Sequence, residues 1–435
     1  MVRTSYRKQL TTTLENAIKN DLTAMAFEYL FREDEGDTSA SDKNTDDEDD
    51  KWEDEEMIYA DLEVKARALL KIQSQRYLGP RGRIEKAPEM HQFILHRMHE
   101  NQFKQFFRMT WALFLKLCSQ VASNPIFVNN SNHPQRPVIK QMMVALNRLG
   151  CFGNGVSVGM IATCYRIGDG TVEVYTNRCI MAILSLKSTL LEWPTAAARE
   201  ETKMHFGDVG FEGCVGLIDG SLVVLSTCPE KDGPDYYSRK GFYCIATLLV
   251  CDQHKNIIYV FTGWPGCSHN MRLMTNCALS KSPNQYFSDG EYLLADSAFV
   301  PTLTTVPAFK RKRNKPLTDE QTDFNRHLSG VQVAVENCIG LLKNRFQSLR
   351  GLRLRVSSKH DMQRVTSWIM ACCILHNFPN QGQDYDFEDF ELEEEPEEDG
   401  PARGDGAMVG TAAGKRKQNE VLELARMFCE DGGEF

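Results

Sequence analysis

The stretch Val215-Gly216-Leu217-Ile218-Asp219-Gly220 is a short apolar run that ends in a carboxylate and closes on a glycine. A run of this kind fits a central strand, buried on both faces, that delivers an acid to the edge of a sheet. The pattern recurs downstream as Tyr292-Leu293-Leu294-Ala295-Asp296-Ser297. Between the two, Leu222 to Thr227, Tyr243 to Cys251 and Ile257 to Phe261 read as further strand, the last two joined by the polar turn Asp252 to Asn256 as a hairpin. A helix through Met271, Leu273, Met274 and Leu279 precedes the second Asp-terminated strand. Another, from about Asp319, carries Val331, Val335, Ile339, Leu342 and Phe346 as a buried stripe, with Gln332, Glu336, Gly340 and Lys343 on a neighbouring face.

Three antiparallel strands, a helix, another strand and further helices is the order of a ribonuclease-H-like α/β domain, a mixed sheet flanked by helices in which strands one and four lie side by side. Asp219 and Asp296 then become neighbours, and Glu336 reaches the same sheet edge from its helix. Three hard carboxylates in one place repel one another unless a cation is present. Oxygen-only ligands suit two Mg²⁺ or Mn²⁺ ions, one activating water or a 3′-hydroxyl and the other steadying a leaving oxygen.

The rest of the chain frames this domain. Residues 1–58 read as an N-terminal helix (Leu14, Ala17, Ile18, Leu22, Met25, Phe27) followed by a disordered acidic tract, Glu33 to Glu56. Residues 59–200 read as an α-helical domain. In it Phe103, Phe106, Phe107, Trp111, Phe114, Leu115 and Leu117 mark a buried helix face, and a helix-turn-helix-like unit is centred on the turn Gly168-Asp169-Gly170, with Asp169 or Thr171 as cap. The second helix of that unit is poor in Lys and Arg, so sequence-specific DNA contact and plain packing both stay open. Residues 201–380 hold the α/β domain, and residues 381–435 an acidic, largely disordered tail that includes Lys415-Arg416-Lys417.

The formal charge is −9 over 435 residues. Residues 33–56 carry about −12 and 384–399 about −11, so the remainder is basic, near +14, as suits a nucleic-acid partner. Fourteen cysteines without a CxxC pair, and the lack of a charged-then-apolar leader pattern, point to reduced thiols in the cytosol or nucleus. The longest apolar runs, such as Cys244 to Cys251, are too short for a bilayer, so no membrane role is expected.

Five segments carry a family likeness: Leu217 to Gly220; Tyr237-Ser238-Arg239-Lys240-Gly241-Phe242-Tyr243; Gly263-Trp264-Pro265-Gly266-Cys267-Ser268-His269; Leu294 to Phe299; and Val335 to Phe346. With Leu375-His376-Asn377 they span the α/β half, and there the chain resembles the DDE superfamily of endonucleases, specifically PIF/Harbinger-type transposases. The resemblance implies a catalytic triad and metal-ligand set of Asp219, Asp296 and Glu336, cleavage at transposon ends and joining of 3′-ends to target DNA. It also implies a Myb-like partner that supplies end recognition and nuclear import. Two positions depart from the family's usual pattern: Asn270 stands where Asp usually follows the loop His, and Gln332 where an Arg usually precedes the catalytic Glu.

DNA-contact candidates are Arg239, Lys240, His269, Lys310, Arg311, Lys312, Arg313, Lys343 and Arg345, the Lys310 to Lys315 cluster doubling as a nuclear localisation signal. Cys372 and His376 sit at metal-ligand spacing, but the apolar run around them reads as core. Paired DNA ends call for paired active sites, so a homodimer is expected. The alternative function is a catalytically inactive, domesticated transposase that acts as a DNA- or chromatin-binding adapter.

Overall fold

The computed structural model describes residues 6–32, 46–75, 93–94, 97–130, 132–311, 316–379 and 410–430. They fall into two units, residues 1–85 and 86–435.

The first unit is a pair of helices, α1 (Tyr6–Arg32) and α2 (Asp46–Ser74). The half-buried residues of α1, among them Leu10, Leu14, Ala17, Ile18 and Met25, recur at three- and four-residue spacing, as do Leu62, Leu69 and Ile72 of α2. Lys65 Nζ meets Asp21 Oδ2 at 2.8 Å and Arg7 Nη2 donates to Ile72 O at 2.9 Å. The acidic tract expected to be disordered is helical over residues 46–56, the start of α2. Residues 33–45 lie outside the described residues.

The second unit opens with helices α3 (Glu100–Phe107), α4 (Trp111–Val121), α5 (Val138–Gly150), α6 (Val158–Cys164), α7 (Asp169–Leu184), α8 (Lys187–Leu190) and α9 (Ala196–Gly207). The aromatic run expected to line one helix face is split. Arg108 takes a left-handed conformation at φ 62° and Thr110 caps α4, which folds Phe103 and Phe107 onto Trp111 and Phe114. Leu115 is left exposed.

Helices α6 and α7 form the expected two-helix unit, but α7 starts at an N-cap Gly168 with no side-chain cap, so neither Asp169 nor Thr171 has that role. Helix α7 packs against α5 and α6 and against α13 (Lys359–Asn377). Arg148 reaches Glu173 Oε1 at 2.6 Å, and Arg364 of α13 binds Glu173 and, at 2.9 Å, Asn177. Seven of its residues are buried, and Val174 and Met181 are exposed. A helix held on these sides has a packing role in the second unit.

The sheet runs β3-β2-β1-β4-β5 in space, with β1 (Cys214–Val224), β2 (Cys244–Cys251), β3 (Ile257–Pro265), β4 (Tyr292–Ala295) and β5 (Thr305–Pro307). Antiparallel pairing joins β1 to β2 and β2 to β3, and parallel pairing joins β1 to β4 and β4 to β5. Residues 214–219 and 222–227, read from sequence as two stretches, belong largely to one strand. β2 pairs with β1 without a break from Leu217↔Cys251 to Val224↔Cys244. The irregularity lies earlier, at Gly216 (φ 157°), where a Cβ would stand 2.9 Å from Cys251 O.

Two apolar clusters fill the two faces of the sheet. Ile218, Leu248, Val250, Leu293 and Ala295 pack with Leu273, Met274 and Leu279 of α10 (Asn270–Asn276) and α11 (Ala278–Lys281). Leu217, Leu249, Cys251 and Leu294 lie in the larger cluster with Val335, Ile339 and Leu342 of α12 (Asp319–Arg345) and Val365, Trp368 and Ile369 of α13. A capping box begins each of these two long helices, Thr318 with Gln321 and Ser358 with Asp361. Where a largely disordered tail was expected, Ala412–Glu430 form α14, with Val421, Leu422 and Ala425 buried in the same large cluster. Its apolar residues recur at helical spacing and so have a face to bury. Residues 380–409 lie outside the described residues. Among the described residues no helix is long and apolar enough to cross a membrane.

Candidate active site

The parallel ladder between β1 and β4 aligns Leu217 with Leu294 and Ile218 with Ala295, so Asp219 and Asp296 follow at the next level on adjacent strands. Strand alternation assigns their side chains to a face. Ile218 and Ala295 enter one cluster, Leu217 and Leu294 the other, and both aspartates share the parity of the latter pair. That face is the one α12 covers, and α12 carries Glu336. Both aspartates are half-buried, whereas Glu336 is exposed.

Each aspartate has one oxygen tied to backbone. Gly220 N donates to Asp219 Oδ1 at 2.6 Å, and Ala298 N to Asp296 Oδ1 at 3.1 Å. A Cβ on Gly220 would stand 2.1 Å from Asn270 Oδ1. Asn270, the first residue of α10, therefore lies directly against the residue after Asp219, and only glycine at 220 leaves it room. Its neighbour His269 contacts Arg239 Nη2 through its ring nitrogens. The two loops carrying Arg239, before β2, and His269, after β3, are in this way brought to the Asp219 end of the site. On the Asp296 side, Val300 N lies 3.0 Å from Met271 Sδ, so α10 touches the segments that follow both acids.

Of the other candidates, Lys240 is half-buried, and Lys310 and Arg311 are exposed at the end of the segment after β5. Lys312 and Arg313 lie outside the described residues. Lys343 and Arg345 do not fit an exposed DNA-contacting role. Lys343 is buried near Cys244, and the buried Arg345 uses Nη1 to hold His376 O at 2.8 Å, tying α12 to α13. Both lie in the last turn of α12. Cys372 and His376 are core residues, as their apolar setting suggested. His376 Nε2 donates to Lys255 O at 3.0 Å. Asn377 both accepts from Ile257 N and donates to Ile257 O, each at 2.8 Å, which pins the first residue of β3.

Two features had no sequence signal. Ser221, two residues after Asp219, is buried and pairs across the strands with Thr247, whose hydroxyl lies 2.6 Å from that of Thr262. Gln332 is buried one turn before Glu336, and its Nε2 has no hydrogen-bond partner among the described residues. Such pairings depend on register across three strands and on helix placement, which local sequence does not encode.

The oxygen-only donor pair of Asp219 and Asp296 fits a hard divalent cation. Among the described residues, however, no three His, Cys, Asp or Glu side chains converge as a metal-holding group. The expected set of three is thus a neighbouring pair of aspartates with Glu336 on the covering helix.

The mixed sheet sets Asp219 and Asp296 side by side at its parallel junction, beneath the helix that bears Glu336. Residues 218–377 match the DDE superfamily endonuclease family. The chain is 26% identical over 311 residues to the Arabidopsis thaliana protein Antagonist of Like Heterochromatin Protein 1, covering 67% of this chain and 76% of that one. It is 26% identical over 221 residues to the candidate nuclease HARBI1 of Rattus norvegicus, covering 49% of this chain and 61% of that one, and 25% identical to the human counterpart with the same coverage. No solved structure matches. Residues 218–377 are thus similar to DDE superfamily endonucleases, and the relatives are Harbinger-derived, nuclease-like proteins.

Proposed function

We propose that this chain is a divalent-metal-dependent DNA endonuclease of the transposase type, which cleaves at transposon ends and joins 3′-ends to target DNA. The observation that carries the reading is the parallel pairing of β1 with β4, which brings Asp219 and Asp296 to one level on one face. The strand order β3-β2-β1-β4-β5, with three antiparallel strands followed by parallel ones, supports a ribonuclease-H-like domain. Asp219 and Asp296 would hold Mg²⁺ or Mn²⁺, with Glu336 as third ligand once its side chain turns from solvent. The bound ions supply activation of the attacking oxygen and neutralisation of the phosphate. The chain's own part is positional: the backbone N–H groups of Gly220 and Ala298 orient the two carboxylates, and Arg239 with His269 offers positive charge to a DNA phosphate beside Asp219. Lys240, Lys310 and Arg311 extend that surface. Nuclear localisation, a homodimer and a Myb-like partner complete the proposal.

A second reading, a non-cleaving adapter on DNA or chromatin, is favoured by neutral Asn270 against Gly220 and by the buried, neutral Gln332 one turn before Glu336. The two are separated by nicking of supercoiled DNA bearing the element's ends in Mg²⁺ or Mn²⁺. The nuclease reading expects cleavage that disappears in the Asp296→Asn variant. Equal cleavage by both proteins, or none by either with the Myb-like partner present, overturns it.

A further inference from the structure

The buried residues of α14, Gly414, Gln418, Val421, Leu422 and Ala425, recur at three- and four-residue spacing, so one stripe of the helix meets the body. Much of what its first half meets is the segment that follows Asp296. A Cβ on Gly414 would stand 2.2 Å from Pro301 O and 2.6 Å from Thr302 Cα, and one on Gly410 would stand 2.6 Å from Pro301 Cγ. One turn on, Gln418 Nε2 donates to Pro307 O at 2.7 Å, and Lys417 Nζ lies 5.3 Å from the Tyr292 ring. Tyr292 begins β4 and Pro307 ends β5. The helix therefore grips both strands and the connection between them.

That connection needs an external hold. β4 has four residues and β5, at the sheet edge, has three, so few ladder bonds fix either strand. Among the described residues the connection is shaped by local hydrogen bonds, including Ala298 N to Asp296 Oδ1, Phe299 N to Asp296 O, Thr304 N to Thr302 Oγ1 and Thr302 N to Thr305 O. Local bonds shape a loop without fixing it relative to β1. The contact with Met271 of α10 restrains one side, and α14 restrains the other.

We infer that α14 is a clasp that holds the Asp296 segment in register with Asp219, with Gly414 and Gln418 as its positioning residues. The inference rests on reading Asp296 as a site residue, so the test keeps the two apart. In the full-length protein, Gly414→Ala and Gln418→Leu are compared with the unmodified chain by amide hydrogen exchange and by Mn²⁺ titration. Alanine is the better helix former, so the effect on the helix alone would be to slow exchange. The clasp demands the opposite: exchange across residues 297–307 faster by about tenfold, with β1 to β3 unchanged, and weaker Mn²⁺ binding. Unchanged or slower exchange in that segment overturns the inference. So does loss of protection spread evenly over the whole unit in both variants, and so does faster exchange with Mn²⁺ affinity intact. An unmodified protein that binds no Mn²⁺ counts against the nuclease reading, and the exchange result then decides the clasp alone.

Discussion

Asn270→Asp adds a carboxylate beside Asp219, and the geometry sets the size of the effect. Asp219 Oδ1 lies 2.6 Å from Gly220 N, and Asn270 Oδ1 lies 2.1 Å from the point a Gly220 Cβ would occupy. With N and Cβ of one residue about 2.5 Å apart, the two carboxylates stand no more than about 7 Å from each other. Two like charges at that separation repel by about 2 kcal/mol at an effective dielectric constant near 20. Because Asp219 is half-exposed, solvent and salt reduce this to about 1 kcal/mol. In EDTA the variant should melt about 2–4 °C below the unmodified protein. Mn²⁺ should reverse the order, because an added ligand turns repulsion into binding. Thermal melts across a Mn²⁺ titration read both effects. Identical melts in EDTA refute the proximity of position 270 to Asp219, and an equal Mn²⁺ shift in the two proteins refutes a cation held there.

Arg199 binds Glu291 at 2.8 Å with both side chains buried, and it also donates to Ser288 Oγ at 3.0 Å. Arg199→Ala leaves the buried Glu291 carboxylate to Ser288 N at 2.8 Å and to the longer Lys203 contact at 3.6 Å, and should cost about 3 kcal/mol in urea unfolding, a loss below about 1 kcal/mol being evidence that the pair is dispensable. His327 stacks on Phe211 at 4.6 Å, reaches Val209 O at 2.6 Å, and has its pKa lowered by burial. The unfolded chain binds this proton more readily than the folded one, so stability should fall as pH drops from the unfolded value near 6.5 toward the lower folded value. His327→Gln should flatten that limb of the urea-denaturation profile between pH 7 and 5, and an unaltered slope removes His327 as its source.

The sequence by itself determined the strands that lead to the acids, because a run of apolar residues closed by Asp is a local pattern that burial on both sheet faces enforces. It determined the hairpin of β2 and β3 through a polar turn read over a few neighbouring residues, and it placed the start of α12 near Asp319. The family likeness of residues 218–377 was legible in the same motifs. Tertiary structure alone decided the rest. Whether Lys343 and Arg345 meet solvent depends on what covers the end of α12, and what α7 packs against depends on where α13 lies. The approach of Asn270 to Gly220 joins residues from two elements, and the grip of α14 on Pro301 joins a helix to a distant loop. A residue type constrains its near neighbours through backbone geometry and periodicity. The partner it meets across the chain is set by the packing of whole elements, and that packing places the charged side chains around these two aspartates.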